Sequence, residues 1–215
     1  VGQDEKLVRL YQANKRSTAY LDESFETDES TGETFFLLGC VTIADGFRSS
    51  TREALQEVFP EGAIHASPMW KNNQYDSLEK AARLAAEHHD GLDIVVQSPL
   101  GPDDPTGDKA RLACIRHLAP ELHRDVEVDL FVFDKPSLED IAKRDARLIK
   151  DLVKEGLLGR SVAVHHAYPS HEPLLGLPDI LAWSYRQVIT RADSHWFKHF
   201  EGHKGLVIKR LDPPV

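Results

Sequence analysis

The sequence predicts an α/β fold in which a mixed central sheet of about five strands is covered by helices on both faces. Three observations carry this reading: two apolar strand-like runs near the start separated by turn residues, later strands alternating with helical patterns, and one nearly unbroken apolar strand. No internal repeat or linker divides the 215 residues, so residues 1–215 are read as a single domain.

Ser17 to Asp22 (STAYLD) is β-branched and aromatic with alternation, and reads as a strand ending at the acidic pair Asp22 and Glu23. Thr34 to Ile43 (TFFLLGCVTI) is apolar almost throughout, as in a central strand covered on both faces. Asp28, Ser30 and Gly32 between them predict a hairpin. Ser50 to Phe59 has helical spacing, with Thr51 as its cap and residues 60–62 as its stop. Ala63 to Ala66 reads as a short extended piece carrying His65.

Tyr75 to His89 is an amphipathic helix closed by Gly91, and Leu92 to Gln97 is the next strand. After a loop rich in Pro, Gly and Asp comes the helix Lys109 to Leu122. Val126 to Asp134 (VEVDLFVFD) has the strongest alternation in the chain and is expected to lie beside the strand bearing Asp22. Ser137 caps a helix running to about Glu155, with Glu139 and Asp140 favourable to its dipole. Arg160 to His166 is a short strand, Leu177 to Arg191 a helix with Pro178 in its first turn, and Leu206 to Leu211 an edge strand.

No apolar run reaches the roughly 20 residues that cross a bilayer, so no membrane partner is expected and the chain reads as cytoplasmic. Cys40 and Cys114 read as buried free thiols. The formal net charge of −9 argues against a protein that coats nucleic acid by neutralising phosphate, but not against an enzyme that acts on it locally. Gly101 to Lys109 lacks the ending of a phosphate-binding loop, and there is no Gly-x-Ser-x-Gly elbow.

Asp22, Asp134 and Asp179 stand at two strand ends and a helix start, the positions that open onto the ligand crevice of an α/β sheet. Single acids at such places commonly serve as caps, so the weight falls on the pattern they share. Ala19-Tyr20-Leu21-Asp22-Glu23-Ser24 followed by Leu38-Gly39, then Ile64-His65-Ala66-Ser67, Phe131-Val132-Phe133-Asp134 and the stretch from Pro173 to Trp183 occur in order. Together these pieces resemble a large bacterial family of ribonuclease H-like domains of unknown function (domain of unknown function 3800), over nearly the whole chain. Pro178 stands where that family has alanine, and Pro68 and Met69 where it carries a further acid.

The resemblance implies a ribonuclease H-like fold and a magnesium- or manganese-dependent nuclease acting on DNA or RNA. Asp22, Asp134 and Asp179 would be the metal ligands, and Glu23 and His65 catalytic helpers. Hard divalent cations take oxygen ligands, which suits carboxylates that must also meet phosphate oxygens. The competing reading is a catalytically idle scaffold of the same fold that binds a protein or nucleic-acid partner. Trp70 and Lys71 follow His65 and could stack on a base and contact a phosphate. His195, His199 and His203 recur every four residues, a zinc-like spacing; Gly202 within the run and the lack of a nearby cysteine disfavour zinc.

Overall fold

The computed structural model describes residues 4–27, 32–60, 64–87, 91–101, 103–135, 139–202 and 205–212. Its sheet has six strands: β1 (Ser17–Thr27), β2 (Thr34–Ile43), β3 (Asp93–Pro99), β4 (Val128–Asp134), β5 (Ala163–Ala167) and β6 (Leu206–Arg210), in the order β5-β4-β1-β2-β3-β6. The first three pair antiparallel, β4 and β5 add parallel beside β1, and β6 adds parallel beside β3. The sheet is therefore mixed, and the architecture is α/β with helices on both faces. β4 lies between β1 and β5, as the expectation for the Val126 to Asp134 run required.

Strand alternation divides the core into two. Tyr20, Leu37, Val41, Val95, Leu130 and Val132 face one side, under the helices α1 (Glu5–Ala13), α2 (Arg48–Val58), α3 (Ala66–Lys71), α4 (Tyr75–Glu87), α7 (Gly176–Arg191) and α8 (Lys198–Glu201). Leu21, Leu38, Cys40, Val96, Phe131 and Phe133 face the other, under α5 (Asp108–Asp125) and α6 (Glu139–Lys154). Both cysteines are free and buried on this second side. Among the described residues no helix is long and apolar enough to cross a membrane.

Several boundaries differ from the sequence reading, each for a local reason. β1 does not end at Asp22; pairing with β2 continues to Thr27↔Thr34 after pairing with β4 stops at Leu21↔Phe133. α1 was not anticipated: it is capped by the Asp4 side chain, which accepts from the Leu7 N–H at 3.0 Å, and buries only Leu7. α2 begins at Arg48, so Thr51 lies inside it and donates its hydroxyl to the Phe47 carbonyl at 2.8 Å instead of capping. The piece read as extended ends at His65, because Ala66 opens the short helix α3. β4 starts at Val128, since Glu127 has φ 56°, outside the strand region. The expected cap Ser137, stop Gly62 and helix end His89 lie outside the described residues.

Candidate active site

Continuing the Leu21↔Phe133 register by one residue sets Asp22 opposite Asp134. Both even-numbered positions share a sheet face with Tyr20 and Val132, the side covered by α7. Asp179, in the first turn of α7, supplies the third carboxylate. β1 has lost β4 as a partner at this level, so the two strand acids sit where the parallel ladder opens.

Small residues let α7 come this close. Gly39 is the β2 partner of Asp22, and a Cβ built there would lie 2.6 Å from the Pro178 carbonyl oxygen and 2.9 Å from the Ala182 Cβ. At the start of α7, a Cβ on Gly176 would lie 2.7 Å from the Ile64 Cβ. These two close approaches seat Asp179 over β1 and draw the Ile64–Ala66 segment alongside. Gly39→Ala is expected to push α7 off the sheet and destabilise the protein by about 1–3 kcal/mol. Gly46→Ala, where a Cβ meets nothing within 4 Å, should be neutral. Urea unfolding of the two variants checks this, and equal midpoints would overturn the packing argument.

The electrostatics of the site follow from burial and like charge. Burial, then Asp179, then Asp134 push the Asp22 carboxyl well above the ordinary value, with Arg111 opposing. Asp179 is raised to about 6, first by burial and further by Asp134, against the Ala66 N–H, His65 and Arg186. Burial also raises Asp134, opposed by the Lys135 N–H, His65 and Arg111. The three acids thus lie within electrostatic reach of one another. Among the described residues, however, no three His, Cys, Asp or Glu side chains are gathered as a ready ligand set.

His65 joins this group. Its Nδ1 lies 3.9 Å from Asp179 Oδ2, its side chain is half exposed, and the adjacent Ala66 N–H donates to Asp179 Oδ2 at 3.0 Å. Glu23 does not join. Because β1 runs on past Asp22, Glu23 points to the opposite sheet face, where it pairs with Arg111 of α5.

That pairing belongs to a network with no counterpart in the sequence reading. Arg111 Nε and Nη2 donate to Asp145 of α6 at 3.1 and 2.8 Å, and His166 Nε2 of β5 lies 2.8 Å from the same carboxylate. Burial alone would raise the Asp145 pKa, but the hydrogen bonds from His166 and Arg111 outweigh it and hold the group below the ordinary value. His166 stacks on Phe133, and the Arg111 guanidinium sits 5.4 Å from the same ring. The network therefore braces the residues next to Asp22 and Asp134 from behind. A signal was present: Arg111 and Asp145 occupy apolar-stripe positions, in register with Cys114, Ile115 and Leu118, and with Ile149 and Leu152.

Of the three histidines spaced by four, His195 lies outside α8 and His199 inside it, and both reach Glu79 of α4, at 3.1 and 2.8 Å. His203 lies outside the described residues. The adjacent pair His165 and His166 diverge to Asp4 and Asp145 on opposite faces.

No family model matches the chain, and no curated protein matches it. Among solved structures it is similar to Bst-RNase HIII in complex with Mn2+, with a TM-score of 0.46 and 10% identity over 85% of this chain and 55% of that one. A point mutant of Bst-RNase HIII is similar with a TM-score of 0.44 and 12% identity over 84% of this chain and 54% of that one. The chain spans about half the length of these proteins.

Proposed function

We propose that the protein is a divalent-metal-dependent nuclease of the ribonuclease H-like family of unknown function that its motifs resemble, hydrolysing phosphodiester bonds of DNA or RNA. The observation that carries this reading is that Asp22, Asp134 and Asp179 from β1, β4 and α7 stand on one sheet face within electrostatic reach of one another, each with its proton affinity raised by burial. Three hard oxygen donors that repel one another fit magnesium or manganese. When bound, the cation supplies the positive charge that activates water and offsets charge developing on the phosphate.

The remaining work falls to the chain. Asp22 and Asp134 are fixed by strand register, and Asp179 by the Ala66 N–H and the close seat of α7. His65, half exposed beside Asp179, would hold or move a proton during the hydrolysis.

The cation should stabilise the protein in a pH-dependent way. Asp179 has a folded-state pKa of about 6 against 3.8 unfolded, so without metal its contribution is fully present below pH 3.8 and lost as pH rises through about 6. At neutral pH, manganese at about 100 times its dissociation constant should add about 2.7 kcal/mol. Thermal melts across pH with and without the ion read both effects. An unshifted melting temperature would count against the centre.

The second reading, an idle scaffold that binds a partner, is favoured by one observation: the Asp179 carboxylate is already engaged by Ala66, with no ready ligand set among the described residues. Incubating labelled single-stranded and duplex DNA and RNA with each metal decides between them. Cleavage of any of these sustains the nuclease; cleavage of none, with a metal-indifferent melt, leaves the scaffold.

A further inference from the structure

Beyond Asp179, α7 carries two cations that both contact α3. Arg186 stands seven residues further along, about 10 Å at 1.5 Å per residue, and Arg191 a further five. Arg186 is mostly buried, its side chain 16% exposed. It donates from Nη2 to the Ser67 hydroxyl of α3 at 3.0 Å and forms a long ion pair from Nη1 to Glu26 at 3.8 Å. Arg191 is exposed, lies 5.6 Å over the Trp70 ring of α3, and has no carboxylate partner among the described residues.

Burial lowers the Arg186 pKa, opposed by the Glu26 and Asp179 carboxylates, and Arg191 adds a smaller lowering effect that places the second guanidinium within electrostatic reach. Glu26 and Asp179 answer part of the Arg186 charge, but Arg191 has no carboxylate partner among the described residues, so in a protein of net charge −9 the pair keeps positive charge that an anion can meet. Planar guanidiniums with a neighbouring hydroxyl are the donor chemistry that suits a phosphodiester oxygen.

We propose that Arg186 and Arg191 form a phosphate subsite that holds a nucleic-acid strand running along α7, about two to three helix turns beyond Asp179. Trp70 carries Arg191 at the outer end, and Ser67 orients Arg186. This rests on the nuclease reading for the location of the reacting bond, but it predicts binding that needs no metal.

The test is fluorescence anisotropy of labelled single-stranded oligodeoxythymidine and oligouridine in metal-free buffer, titrated over a range of potassium chloride concentrations. Arg186→Gln and Arg191→Gln should each weaken binding and flatten the plot of log affinity against log salt by about 0.7–1, with the double variant flatter by about twice that. Arg191→Lys, which keeps the charge, should retain the slope. Glu26→Gln, which removes the carboxylate facing Arg186, should tighten binding, an effect a purely structural arginine would not show. Should Arg186→Gln fail to fold, Arg191→Gln on its exposed side chain carries the test.

A wild-type slope in the double variant, or no oligonucleotide binding by wild type at low salt, overturns the subsite. If wild type cleaves while the double variant keeps its slope, the nuclease reading stands without the subsite. If the slope flattens as expected and wild type cleaves nothing, the subsite stands and the nuclease reading falls.

Discussion

Asp22→Asn is expected to lower phosphodiester cleavage by roughly 10³-fold while leaving the folded structure intact. Asp22 is the acid on which the other two act, since both Asp179 and Asp134 raise its pKa beyond the effect of burial. The amide keeps the shape of the side chain and removes the charge that would hold the cation, and loss of several kcal/mol of charge stabilisation corresponds to about three decades in rate. The loss should appear in kcat more than in KM, because phosphate contacts elsewhere are untouched.

Stability should move the other way. A carboxyl whose folded pKa is raised destabilises the fold once it ionises, so at neutral pH without metal the Asn variant should match or exceed wild type. The checks are cleavage of labelled DNA and RNA with magnesium and manganese, and urea unfolding at pH 5 and 7. A variant that cleaves as fast as wild type would remove Asp22 from the centre. One that loses activity together with the fold would show a structural role instead.

The largest stability effect is expected at Asp145, on the opposite face of the sheet. Its side chain is fully buried, accepts hydrogen bonds from Arg111, and lies 2.8 Å from His166 Nε2. Removing one partner of a buried ion pair leaves the other charge without compensation, which costs about 3–5 kcal/mol. Asp145→Ala leaves Arg111 only its pairing with Glu23, and the melting temperature should fall by roughly 6–20 °C.

The pH dependence has a definite sign. The Asp145 pKa is depressed in the folded state, so its contribution is present above the unfolded value of 3.8 and is lost as pH falls through the lower folded value. The alanine variant should therefore lose least, relative to wild type, in strong acid. Scanning calorimetry at pH 3 and 7 measures both expectations, and a penalty below about 1 kcal/mol at pH 7 would show the network to be energetically idle. Activity should fall more than global unfolding explains, since Arg111 and His166 bear on Phe133, one residue from Asp134.

The sequence alone determined the secondary-structure alternation, the central apolar strand from Thr34 to Ile43 and the three acids at crevice-forming positions. These are properties of local pattern: alternation selects strand faces, and helix starts carry their own polar signals. Short elements were less legible. α1 buries only Leu7 and α3 has six residues, so neither imposes a helical stripe long enough to read; both depend on packing against the sheet.

Only the tertiary structure decided which neighbours belong together. Asp22 and Glu23 are adjacent in the chain yet serve opposite faces, because β2 holds β1 extended beyond the point where β4 departs. Arg111 and Asp145 sit 34 residues apart, and nothing local says that each answers the charge of the other. Strand register and the tight approach of α7 at Gly39 bring the dispersed acids Asp22, Asp134 and Asp179 within electrostatic reach of one another, since distance in space, not in sequence, sets the strength of charge interactions.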